Sequence, residues 1–166
     1  MNRSRLSLAV FLGAAALCVA QALRYAPLLP RRMASHFGPG GTPNGWMPRE
    51  IFIKLDIGVV GFLTLMLLSA SFKFRSLDPA KMRLPNRDYW MAPERREATV
   101  EFLSGYFLWF GAATLLLMLD VFRQVFLFNL GASKALDHPL TSLGVYVAFV
   151  IAWIAGFQLR FRKIPG

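Results

Sequence analysis

Four apolar blocks, residues 6–23, 51–72, 100–119 and 140–159, constrain this chain more than any motif in it. They contain 18, 22, 20 and 20 residues, 80 of the 166, and carry few charges. About 20 apolar residues at roughly 1.5 Å rise cross a hydrocarbon core about 30 Å thick, so each block can span a bilayer as a helix. An ordinary soluble enzyme domain is thereby excluded. The expected fold is all-α: one membrane domain over 1–166, an integral bundle of four transmembrane helices with a small ordered extracytoplasmic loop between the first and second.

The charge balance fits this reading. Nineteen Lys and Arg against nine Asp and Glu give a net charge of +10. These cations sit at the ends of the spans and not along one face, so the balance does not point to nucleic acid. Sorting them by connecting segment sets an orientation. With the N-terminus inside, twelve cations fall inside: Arg3 and Arg5, seven in the 73–99 loop, and Arg160, Arg162 and Lys163. Six fall outside: Arg24, Arg31, Arg32, Arg49, Arg123 and Lys134. Both termini are expected on the cytoplasmic side of the membrane. The N-terminus also carries a competing signal-peptide pattern, with Arg3 and Arg5, an apolar core, and Ala20-Gln21-Ala22 as an A-x-A site. We read the first block as a retained helix. The single cysteine, Cys18, lies inside it and allows no intramolecular disulfide; Leu17 before it argues against a lipoprotein site.

The first connection, 24–50, is too long and too rich in Pro and Gly for a simple helical hairpin. Residues 31–37 suit a short extended stretch, followed by turns at Gly40-Gly41 and Asn44-Gly45, and Pro48 suits the first turn of the second helix. In the 73–99 connection, Tyr89 and Trp90 read as interface anchors and Pro93-Glu94 as a helix start. The third helix overruns its span: beyond Asp120 and Arg123 the apolar pattern resumes to Leu130, so this part either projects from the membrane or bends along its surface. In the fourth span Gly144, Ala148, Ala152 and Gly156 recur every four residues, a small-residue stripe suited to close helix approach in lipid. Gly58 with Gly61, and Ala9 with Gly13, repeat it in brief on the second and first spans.

Candidate chemistry is sparse. Lys54, Asp56 and Asp120 are the ionisable groups within or at the edge of spans, where charge is costly. Lys54 shares a face with Gly58 and Gly61, so it is placed toward the bundle, able to pair with Asp120. The alternatives are outward snorkelling of Lys54 and a local Asp120–Arg123 pair. His36, His138 and Asp137 fall on the outer side without metal-ligand spacing, so no metal is assigned. Gly38-Pro39-Gly40-Gly41 lacks the Gly-Lys-Ser/Thr of a phosphate loop. No nucleophile elbow, CxxC or paired carboxylate is present, so no catalytic residue, enzyme activity or cofactor is expected. The basic 73–99 loop could grip anionic headgroups, a field that Asp78, Asp88, Glu94 and Glu97 dilute.

Two stretches carry a family resemblance. LLPRRMASHFGPGGTPNGWMPRE, residues 28–50, resembles a pattern of Leu-Pro, a spacer, His-Phe, a Gly-containing turn, Pro-x-Gly-Trp and a helix start. It rests on Pro30, His36, Phe37, Gly41, Pro43, Gly45 and Trp46. That pattern marks a bacterial membrane domain of unknown function found at the N-terminus of SdpI-type toxin-immunity proteins. LPNRDYWMAPERRE, residues 84–97, is similar to the cytoplasmic loop of short members of the group. The resemblance covers roughly residues 1–100. It implies protection against a secreted membrane-active peptide toxin, or sensing of one, with His36, Phe37, Gly45 and Trp46 as the ligand-binding or cap-forming residues. The second half departs from the pattern, supplying two spans where the full immunity proteins have a further domain with more helices.

The expected role is therefore a non-enzymatic, SdpI-like inner-membrane protein that binds or senses a ligand or peptide toxin at the outer face. An accessory or structural subunit that packs through the fourth-span stripe against a membrane protein partner, or as a homo-oligomer, is the alternative. A minimal transporter using Lys54 and Asp120 is the third. The lipid bilayer is a partner in every case.

Overall fold

The computed structural model describes residues 3–136 and 139–164. Its elements in order are helix α1 (Arg3–Tyr25), strands β1 (Arg32–Phe37) and β2 (Pro43–Pro48), and helices α2 (Arg49–Ser76), α3 (Arg87–Trp90), α4 (Pro93–Asn129) and α5 (Pro139–Arg162). Four of these helices, α1, α2, α4 and α5, are long and apolar enough to cross a membrane. They run alternately up and down, which brings both chain ends to one end of the bundle and the β1–β2 hairpin to the other.

The long helix α4 is the centre of the arrangement. It packs on α1, α2 and α5, while α1 and α2 also touch each other. On α1 the buried positions Phe11, Ala14, Cys18 and Ala22 recur at three- and four-residue spacing and form one stripe. Phe11 meets Val60 and Leu67 of α2 and Leu108, Ala112 and Leu115 of α4 in the mid-bundle core. A second cluster, Leu29, Met33, Phe52, Val125 and Phe126, fixes the hairpin end. A third, Met82, Met91, Val100, Leu103 and Phe161, closes the end that carries the termini.

Several expectations need correction. The chain is not all-α: the loop after α1 folds as a two-stranded antiparallel sheet. Residues 32–37 are extended as expected, but Asn44-Gly45, read as a turn, lies in β2. The reversal is instead made by Gly38–Thr42. The Gly38 N–H donates to the Thr42 carbonyl at 2.8 Å and the Gly41 N–H to the Gly38 carbonyl at 2.9 Å. Gly41 has φ +70°, and a Cβ there would lie 3.1 Å from the backbone nitrogen of Leu136, so both conformation and space require glycine. Two register irregularities, between Ala34 and His36 and between His36 and Phe37, admit the extra residues.

Helix α4 is uninterrupted past Asp120 and, at about 1.5 Å per residue, is about 54 Å long, well beyond a hydrocarbon core. It ends in a Schellman motif: the Gly131 N–H donates to the Phe128 carbonyl and the Ala132 N–H to the Leu127 carbonyl, with Gly131 at φ +74°.

The small-residue stripes do not build the bundle. Gly144, Ala148 and Ala152 are exposed, and Gly58, Ala9 and Gly13 likewise face outward. Close approach occurs at Gly111 of α4, where a Cβ would lie 2.7 Å from Phe11 Cε2. Helix α5 uses aromatic side chains: Trp153 stacks on Tyr106 of α4 at 4.9 Å, and the Tyr106 hydroxyl donates to the Trp153 carbonyl at 2.6 Å beside Gly156.

Trp90 is more than an interface anchor. Its indole N–H donates to the Phe161 carbonyl at 3.1 Å, and its ring meets Phe161 edge-on. Asn86, at φ 51°, donates to the Phe161 and Arg162 carbonyls at 3.0 and 2.9 Å, so the 84–97 stretch caps the end of α5.

Candidate functional site

The hairpin is held by the last turns of α4, beyond Asp120. Asn129 presents its side-chain amide to β1 as a neighbouring strand would. Its Oδ1 accepts from the Ala34 N–H at 2.7 Å, and its Nδ2 donates to the Ala34 carbonyl at 3.0 Å. Phe37 meets Phe128 edge-on at 5.1 Å, and Met33 is fully buried in the cluster built on Phe126. At the base, Arg49 Nη1 donates to the Leu29 carbonyl at 3.0 Å, and Tyr25 stacks on Phe126.

This clamp determines what β2 shows to its surroundings. Both backbone groups of a strand residue point to the same side, and Asn129 occupies both groups of Ala34. Ala34 is paired with Trp46, so this is a non-hydrogen-bonded pair, and the N–H and C=O of Trp46 face away from β1. The alternation agrees two residues on: Pro48, which has no N–H, pairs with Arg32, while the Arg49 N–H donates to the Arg31 carbonyl at 2.9 Å. Among the described residues the sheet has two strands, so β2 is an open edge. Its central residue carries an indole that is 52% exposed.

The four cap residues singled out from sequence thus divide by role. Phe37 is an anchor against α4. Gly45 makes room for its cross-strand neighbour, since a Cβ there would lie 3.0 Å from His36 Cβ. His36 and Trp46 are exposed. Asp137 and His138 lie outside the described residues.

The intramembrane charges are not brought together. Lys54 is exposed, on the outward face that it shares with Gly58. Asp120 accepts instead from Gln124 Nε2 at 2.7 Å and from the Ser142 hydroxyl at 2.5 Å, which joins α4 to α5. Asp56 is 2% exposed, and its Oδ2 has no hydrogen-bond partner among the described residues. Nearby, the Cys18 thiol donates to the Leu115 carbonyl at 3.3 Å and Gln21 Nε2 to the Leu119 carbonyl at 2.8 Å. Among the described residues, no three His, Cys, Asp or Glu gather as a metal site.

Asn129 and Asn86 escaped sequence reasoning. Asn129 had one signal, its place two residues before the helix-ending Gly131; Asn86 stood in the quoted 84–97 stretch with no role of its own.

No curated protein and no solved structure matches this chain. Residues 13–54, which run from α1 through the β1–β2 hairpin into the start of α2, match the family model described as Domain of unknown function (DUF1648).

Proposed function

We propose that this is a non-enzymatic bacterial inner-membrane protein, SdpI-like, that uses the β1–β2 hairpin at the extracytoplasmic face to bind an extended peptide such as a membrane-active toxin. The open β2 edge at Trp46 carries this reading. An outward N–H and C=O accept a peptide strand by β-addition, and an exposed indole beside them supplies the apolar contact. The Asn129 clamp holds that edge in shape before any ligand arrives, which lowers the ordering cost of binding. Prolines at both ends of β2 limit the edge to a short segment, which guards it against indiscriminate sheet growth.

A photo-crosslinking residue placed at Trp46 in cells challenged with a secreted peptide toxin is expected to capture the peptide. Trp46→Ala is expected to lose protection at unchanged protein level. Capture of lipid alone, with protection intact in Trp46→Ala, overturns the reading.

One observation favours a second role, as an accessory subunit or homo-oligomer. Gly144, Ala148 and Ala152 stay exposed on α5, whose apolar window holds no fully buried residue among those described. Ala148→Leu is therefore expected to leave the fold intact while releasing a co-purifying partner or copy. Unchanged association sinks this role.

A further inference from the structure

At the end of the bundle that carries the termini, α1, α2 and the first turns of α4 diverge around a cleft of about 740 Å³. Three helices each contribute one guanidinium to it: Arg5, Arg75 and Arg96. Two carboxylates, Glu97 and Glu101, also line it. None of these five is in an ion pair; among the described residues the ion pair is Arg87–Asp88, at 2.8 Å. Arg96 is the informative member. Its Nη2 reaches the Leu77 carbonyl at a long 3.4 Å, while its buried Nε has no acceptor among the described residues. A buried guanidinium N–H is a strong donor that calls for an acceptor. The hydroxyls on the same wall do not supply one to it. Ser71 and Ser104 donate to each other's carbonyls, at 3.4 and 2.9 Å.

Deeper along the helices the cleft becomes apolar, with Leu8, Phe72 and Leu108 on its walls. Phe72 is 52% exposed on the side that would face lipid. We propose that the cleft binds one anionic phospholipid of the leaflet at this end, of the phosphatidylglycerol type. The phosphodiester lies among Arg5, Arg75 and Arg96, and an acyl chain runs along Leu8, Phe72 and Leu108. A diffusible anion would leave the apolar wall unused, whereas a phospholipid satisfies both halves. The lining carries one net positive charge, which complements a singly negative headgroup. Glu97 and Glu101 hold the net charge of the lining to one and disfavour a second phosphate. This site lies at the opposite end of the bundle from the hairpin and does not depend on its function.

Native mass spectrometry of the full chain, released from nanodiscs of mixed phosphatidylglycerol, phosphatidylethanolamine and phosphatidylcholine, tests this proposal. One phosphatidylglycerol is expected to be retained in preference to the other two and to resist displacement by excess inorganic phosphate. Combined Arg75→Gln and Arg96→Gln should lower that retention about thirtyfold, at roughly 1 kcal/mol per well-placed cation. Arg87→Gln, at the same end but outside the cleft, should not change it. If the double variant fails to fold, Glu97→Gln decides, because removing a like charge beside the phosphate must increase retention. Preference for phosphatidylethanolamine that is lost in Glu97→Gln, displacement by phosphate, or retention without selectivity would each overturn the proposal.

Discussion

At the scale of single residues, space and not periodicity decides which small side chains matter. The stripe in α5 is the most regular in the sequence, yet Gly144 has nothing within 4 Å of the position a Cβ would take. Gly111 belongs to no repeat, but its missing side chain lets the fully buried Phe11 ring lie against α4. Gly111→Ala must displace Phe11 or part the two helices, a strain of about 1–3 kcal/mol. Gly144→Ala is expected to be neutral or slightly stabilising, because alanine is the better helix former. Unfolding midpoints of the two variants in the same detergent check both; equal midpoints would mean that α1 and α4 adjust freely at this contact. Lys54 and Asp120 teach the same lesson about charges. Helical spacing put Lys54 on one face with Gly58, and that grouping is present, but the face points outward. Which face turns inward depends on the neighbours, here Phe52, Val60 and Leu67 in the buried row of α2.

At the scale of elements, the spans were legible because a run of about 20 apolar residues has few structural solutions. Pro93 likewise marked the start of α4, where a missing N–H costs nothing. Strand β2 was hidden because Pro43-Asn44-Gly45 and Pro48 are turn and edge residues by composition, and only pairing with β1 makes them a strand. That pairing depends on α4, through Asn129, across 95 residues of sequence. Asn129→Ala removes both bonds to Ala34 and leaves a buried backbone amide and carbonyl without partners, a cost of about 1–3 kcal/mol. The loss should be confined to the hairpin, since the mid-bundle core does not include Asn129. Hydrogen exchange should therefore accelerate over residues 32–37 with little change in α1 or α2. Asn129→Asp, which keeps the acceptor and loses the donor, should cause the greater loss at the Ala34 carbonyl side of the clamp. Uniform exchange across the chain would show that the hairpin is not held by this residue.

At the scale of the whole molecule, the fold turns a charge count into a geometrical statement. The chain ends of α1 and α5 and the cation-rich 73–99 connection share one end of the bundle, and the hairpin occupies the other. The grouping that positive-inside counting requires is therefore the one that the helices impose: twelve cations at one end and six at the other. Positive-inside counting thus applies to one finished body and not to two independent hairpins, and both proposals above rest on the orientation it leads one to expect. A peptide edge serves a secreted ligand only if the hairpin lies outside, and then the arginine cleft draws on the inner leaflet. Cysteine accessibility tests the two together. In a Cys18→Ser background, which removes the buried native thiol, Asn44→Cys reports the exposed hairpin and Arg83→Cys the exposed connection before α3. An impermeant maleimide added to intact cells should label the Asn44→Cys protein, whereas Arg83→Cys should react only after the membrane is opened. Reversed labelling would place β2 in the cytoplasm, remove the toxin reading at once, and move the lipid cleft to the opposite leaflet. Labelling of both sites in intact cells would mean two orientations in one membrane, which a two-to-one cation bias ought to prevent.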